Sequence, residues 1–236
     1  MNYLLPLGGT FDTRFKGILT SYKHYGIPAG IKAGHLWAGD NCAFKGFDAN
    51  EFTKWLQAMT PYRNTCLFIV APDAVGDASR TLDLWDEWAP RLSDWPLALA
   101  AQDGMEDLDW PTDMDITDYC YDHLANDTME DYWETQEHYY QDETPFRCVF
   151  IGGSTRWKES YHALTVIEQA QRMQKHVHIG RVNHERRYTH FARVAGSEHF
   201  TCDGTLTRSI GKIRALHTWS QHQNNLHRYR SQLQLL

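Results

Sequence analysis

The chain has no run approaching the roughly 18 apolar residues that a membrane-spanning helix needs, so no membrane partner is expected. Cysteine is sparse: Cys42, Cys66, Cys120, Cys148 and Cys202 are isolated and odd in number, with no Cys-x-x-Cys pair. That usage argues against a disulfide framework and against a cysteine-rich zinc site, and it fits reduced thiols in a cytosol. The N-terminus, Met1-Asn2-Tyr3-Leu4-Leu5-Pro6, has no basic region before its apolar residues, so no secretory signal is expected and the location is read as cytoplasmic. Internal repeats are lacking as well. From Asp103 to Glu143 there is no Lys or Arg at all, against 15 acidic residues.

What is present is a chain of 236 residues, 42% hydrophobic, with 9 Trp, which is enough for one sizeable core. Residues 1–236 read as a single domain. The net charge of −7 hides a split: residues 1–146 hold 9 Lys+Arg against 25 Asp+Glu, and residues 147–236 hold 14 against 5, with nine of the 13 His. A basic half can attract a polyanion such as nucleic acid, although an unevenly charged solvated face explains the split equally well.

Apolar runs at residues 3–8, 33–40, 66–71, 96–101, 146–151, 175–179 and 199–202 read as strands. Helical spacing marks 15–25, 48–59, 79–89, 159–174 and 185–195 as helices. Asp48 followed by Glu51 is a capping-box signature. The alternation of strand and helix implies a parallel sheet. The expected fold is α/β, a (β/α)8 TIM-like barrel with seven strands and room for an eighth. It carries an acidic, partly helical insertion over about 105–145 and a helical tail over 213–236.

Several strands end in a polar residue: Asp40, Asp73, Gln102-Asp103 and Asp203. Strands that deliver polar side chains at their C-terminal ends are how such barrels build active sites. Converging carboxylates admit a nucleophile and an acid/base at a sugar carbon, a metal site, or simple capping of the next helix. His176 and His178 alternate on one strand and face the same way, which keeps a metal-dependent hydrolase in view. Gly152-Gly153 lets a ligand approach the backbone, and Phe44 is placed to stack on a flat ring.

In order along the chain, Asp40-Asn41-Cys42-Ala43-Phe44, Ala101-Gln102-Asp103-Gly104, Ile151-Gly152-Gly153-Ser154, His178-Ile179-Gly180-Arg181-Val182 and Phe200-Thr201-Cys202-Asp203 resemble motifs of the tRNA-guanine transglycosylases. They resemble more closely those of the related 7-deazaguanine DNA transglycosylases of phages and bacterial modification islands. The resemblance implies replacement of guanine in DNA by a 7-deazaguanine base of the queuosine-related, preQ0 kind. A flipped nucleotide would pass through a covalent aspartyl-sugar intermediate, in a host cytoplasm if the chain is phage-encoded. It implies Asp203 as nucleophile and Asp40 as general acid/base. Asp73, with Asp77 as fallback, would hold the amino edge of the base. Gln102, Gly152 and Gly153 would read its oxygen side, Asn41 would lie beside it, and Phe44 and Ile179 would clamp the ring.

The tRNA enzymes carry a cysteine- and histidine-rich zinc site that this sequence does not match, so no cofactor is expected, and DNA is favoured over tRNA. Asn41, Cys42 and Lys45 also depart from the tRNA family's usual residues. Arg156, Lys158, Arg181, Arg186, Arg187, Arg208, Lys212 and Arg214 are the expected phosphate contacts, with Trp157 as a wedge and Trp37 as a second wedge or, preferred for it, a core residue. The expected partners are DNA, a free 7-deazaguanine base and accessory DNA-modification proteins. The rivals are the same exchange on tRNA, the metal-dependent hydrolase, and a non-catalytic nucleic-acid-binding barrel.

Overall fold

The computed structural model describes residues 2–6, 17–111, 145–194 and 200–204. Within them the chain runs β1 (Asn2–Pro6), β2 (Gly17–Ser21), α1 (Ala29–Lys32), β3 (Trp37–Asp40), α2 (Ala49–Met59), β4 (Cys66–Val70), α3 (Ala78–Trp88) and β5 (Leu97–Ala101). It continues with β6 (Cys148–Ile151), α4 (Thr155–Lys158), α5 (Tyr161–Arg172), β7 (His176–Ile179), α6 (Glu185–Val194) and β8 (Phe200–Cys202). Every strand lies parallel to the one before it. The sheet curls far enough for β1 to pair with β8 at Asn2↔Thr201 and Tyr3↔Cys202. This is an α/β fold built on an all-parallel curled sheet. No helix among the described residues is long and apolar enough to cross a membrane.

Alternation along the strands sorts their side chains into two layers. Leu19, Ala38, Phe68, Val70, Ala98, Ala100 and Cys148 pack together on the concave side with Leu4. Ile18, Trp37, Ile69, Leu97, Leu99, Val149, Ile151, Val177, Ile179, Phe200 and Cys202 face the helices. There they meet Phe52, Leu56 and Met59 of α2, Trp85 and Trp88 of α3, and Val166 and Ile167 of α5. Residues 40, 102, 178 and 203 are in phase with the concave set, and this phase aims their side chains into the mouth of the curl.

The stretch 15–25, expected as a helix, instead contains β2, the eighth strand. Residues 15, 18 and 19 mimic helical spacing, but Gly17–Ser21 is buried at every position and pairs on both sides. The backbone also passes so close to Leu36 that a Cβ on Gly17 would stand 2.6 Å from its carbonyl oxygen. The helix expected over 159–174 is present as α5, and one further turn, α4, capped by Ser154, precedes it. The first residues of the acidic insertion belong to the body: Met105 and Trp110 are buried, and the Trp110 ring lies 6.2 Å from Phe146. The remainder of the insertion and the tail over 213–236 lie outside the described residues.

Asp48 caps α2 by accepting from the N–H groups of Asn50 and Glu51, both at 3.0 Å. Glu51 does not complete the box, because its carboxylate takes Lys54 at 2.9 Å. Asp48→Ala is therefore expected to lower stability by about 1 kcal/mol, read as a reduced urea midpoint with an unchanged slope; an unaltered midpoint would remove the cap from this account.

Candidate active site

Asp40, Asn41, Phe44, Asp73, Val75, Gln102, Phe150, Gly152, Gly180, Arg181 and Asp203 line one recess of about 500 Å³, counted with the open solvent at its mouth. The strand ends thus bring together the two carboxylates expected to do chemistry and most of the residues expected to hold a base.

Asp40 closes β3. Its Oδ1 accepts the Cys42 N–H at 3.0 Å, a bond made possible by the left-handed backbone at Cys42 (φ 59°). Burial raises the Asp40 pKa above the usual carboxylate range, and the nearby Asp203 carboxylate raises it further; the Cys42 bond opposes both. A carboxyl that keeps its proton more readily than usual is suited to proton transfer.

Asp73 lies just beyond β4 between two buried amides. Asn41 Nδ2 donates to one of its oxygens at 2.6 Å and Gln102 Nε2 to the other at 2.5 Å. Neither amide is free to turn. Asn41 also donates to the Ala71 carbonyl and accepts the Ala43 N–H at 2.8 Å. Gln102 Oε1 accepts from the N–H groups of Gly76 and Gly153, each at 2.9 Å. Burial pushes the Asp73 pKa up to about 6, Asn41 pulls it down, and Asp40 adds to the rise.

The glycine pair works differently from expectation. The Gly152 N–H already donates to Ala101 at 2.9 Å and the Gly153 N–H to Gln102, so neither is available to a ligand. Gly152 serves instead by lacking a side chain, since a Cβ there would stand 2.4 Å from Gln102 Nε2. Gln102 is correspondingly the strut that holds Asp73, with one amide hydrogen beyond its bond to Asp73.

Asp203 follows β8, and its Oδ1 accepts from the Arg181 N–H at 3.0 Å. His178 Nε2 stands 3.1 Å from the same oxygen. His178 was not expected as a partner of Asp203, although its phase on β7 carries it to the concave side. The same phase explains why Ile179 does not clamp the recess: it faces the helices and is wholly buried there.

Other expectations are also corrected. Asp77 caps α3, accepting the Arg80 N–H at 2.9 Å, and does not line the recess. Asp103 is a loop strut, accepting the backbone N–H and the hydroxyl of Ser154, both at 2.6 Å. Lys158 is fully buried and donates to the Gly180 carbonyl at 2.7 Å, so it is no phosphate contact; burial pushes its pKa down to about 7. Trp37 is core, and buried Trp157 donates to Glu106 at 2.9 Å, so neither is a wedge. Arg187 is tied to Glu159 at 2.7 Å and to the Arg181 carbonyl at 3.1 Å.

Arg181 has a left-handed backbone (φ 59°), donates to the Gly153 carbonyl at 2.7 Å, and lays its guanidinium 4.5 Å from the centre of the exposed Phe44 ring. Arg156 and Arg186 are exposed. Arg208, Lys212 and Arg214 lie outside the described residues. Among the described residues no group of three or more His, Cys, Asp or Glu is arranged to hold a metal ion. In comparison with known proteins, the chain matches no family model and no curated relative.

The position of Asp73 fixes a pH dependence. Its folded pKa of about 6 exceeds the ordinary 3.8, so between these values the unfolded chain gives up a proton that the fold retains. Stability is therefore expected to fall as pH rises from about 4 to about 6, by on the order of 2 kcal/mol, measured by urea unfolding across that range. Asp73→Asn should remove this component of the slope; an unchanged slope in the variant would contradict the assignment.

Proposed function

We propose that the curled sheet is a (β/α)8 barrel of TIM type and that the protein exchanges guanine in DNA for a 7-deazaguanine base by double displacement at the sugar. The observation that carries the reading is the meeting of Asp203 and Asp40 in one recess that is also lined by Asp73, held between Asn41 and Gln102. A base-exchange site needs a carboxylate to hold the sugar, a second carboxyl to move a proton, and a fixed acceptor for the donor edge of a purine. The resemblance of the strand-end motifs to the transglycosylases supplies the same three roles.

In this mechanism the target nucleotide leaves the duplex stack, at a cost of a few kcal/mol. Asp203 attacks C1′ while Asp40 gives its proton to the departing guanine. The incoming base then gives a proton to Asp40 and takes C1′ from Asp203. Two inversions return the original configuration at C1′. Asp73 accepts from the ring N–H and exocyclic amino group of the bound base. Phe44 stacks on one face, and Arg181 gives up its contact with that ring when the base arrives. Exposed Arg156 and Arg186 supply charge for DNA phosphates near the mouth.

The test supplies labelled 7-cyano-7-deazaguanine with duplex DNA or tRNA and measures incorporation. Incorporation into DNA is expected. Asp203→Asn should abolish it, and Asp40→Asn should slow it by roughly 10²–10⁴-fold. Incorporation into tRNA alone would transfer the activity to the tRNA branch, and none into either would overturn base exchange.

A further inference from the structure

We propose that His178, aligned by Thr201 and His176, is a positioning residue that makes Asp203 a good leaving group in the second displacement, an inference that rests on the base-exchange reading. The His178 ring is fully buried, stacked on Phe150 at 5.0 Å and 17°, with Phe68 5.2 Å away at 56°. It cannot swing without disturbing both. Its Nδ1 lies 2.8 Å from Thr201 Oγ1, and its Nε2 lies 3.1 Å from Asp203 Oδ1. His176 Nε2 lies 2.7 Å from the same Thr201 oxygen.

Around an anionic Asp203 these contacts allow a neutral His178 one direction of donation. A carboxylate only accepts, so the hydrogen sits on His178 Nε2. On a neutral ring Nδ1 is then the acceptor, and the Thr201 hydroxyl donates to it. That leaves the Thr201 oxygen to accept from His176 Nε2–H. The series fixes the tautomer of His178 and thereby the donor that Asp203 meets.

Both donors to the Asp203 carboxylate, His178 Nε2–H and Arg181 N–H, fall on Oδ1. Among the described residues none falls on Oδ2, which is the oxygen left to bond C1′. In the first step the Oδ2–C1′ bond forms as the bond from C1′ to guanine breaks. Its electron pair leaves with the purine, which takes a proton from Asp40. In the second step a ring nitrogen of the incoming base bonds C1′, the C1′–Oδ2 bond breaks with its pair returning to Asp203, and the nitrogen's proton passes to Asp40. Negative charge leaves Asp203 in the first step and returns in the second. Donors on Oδ1 favour the charged carboxylate, so they disfavour build-up of the covalent adduct and speed its breakdown.

The experiment quenches reactions of duplex DNA and saturating 7-cyano-7-deazaguanine in denaturant. It reads the ratio of DNA-linked to free protein on a denaturing gel. His178→Ala should raise that ratio roughly ten-fold or more even if turnover falls, because a charge-assisted donor is lost from one side of the balance. His178→Gln, which keeps an N–H donor, should return the ratio toward wild type. Thr201→Val keeps the strand's shape but frees the imidazole tautomer, and should shift the ratio in the same direction as His178→Ala. If the alanine variant does not fold, Thr201→Val decides. A ratio unchanged or lowered in these variants overturns the proposal while leaving base exchange standing. Absence of any adduct in wild-type protein, with DNA and with tRNA, overturns the base-exchange reading and this inference with it.

Discussion

Two carboxylates, Asp40 and Asp203, share one recess, and bringing both out of water there makes a second negative charge expensive. The pKa of Asp40 rises for that reason, with burial as the larger cause and Asp203 as an added one. Much of the surrounding structure answers this constraint. Among the described residues Asp203 is given two donors on one oxygen, and Asp40 has the Cys42 N–H. The two carboxylates therefore meet unequal surroundings although they sit at matching strand ends. Unequal surroundings are what two carboxylates need if they are to take different parts in proton transfer.

Strand phase is what assembles the pair. Alternation on β3, β5, β7 and β8 carries Asp40, Gln102, His178 and Asp203 to the concave side, and the bulky Trp37, Leu99, Ile179 and Cys202 to the helix side. The third carboxylate, Asp73, comes from a loop beyond its strand and needs other support. It is held by Asn41 and Gln102, themselves pinned by backbone groups from neighbouring loops. This network ties β3, β4, β5 and β6 together at the mouth, so a change at Gln102 or Gly152 disturbs Asp73 without touching it covalently.

Much of this was legible in the sequence. Continuous apolar runs such as Cys66–Val70 announced parallel strands, and polar residues at their ends announced the site. Asp48 gave away its cap because the signal is local. What escaped reading was set by tertiary contact. Residues 15–25 look helical by spacing, and only pairing with β1 and β3 makes Gly17–Ser21 a strand. Lys158 reads as a surface cation, yet its amine reaches the Gly180 carbonyl across the loops. The Gly152-Gly153 pair announced a close backbone approach, but the group that approaches is the Gln102 side chain. Ile179 and His178 differ from expectation together, because the two-residue period of β7 turns Ile179 to the helices and His178 to the concave side.

The central claim is that Asp203 forms a bond to the sugar. The most direct measurement traps wild-type protein on duplex DNA in the absence of incoming base, digests the complex with protease and nuclease, and sequences the modified peptide by mass spectrometry. The account predicts a deoxyribose-linked mass on the peptide that ends β8, fragmenting to Asp203 and released by hydroxylamine as an ester should be. A modification mapped to Asp40 or to any other residue would contradict it.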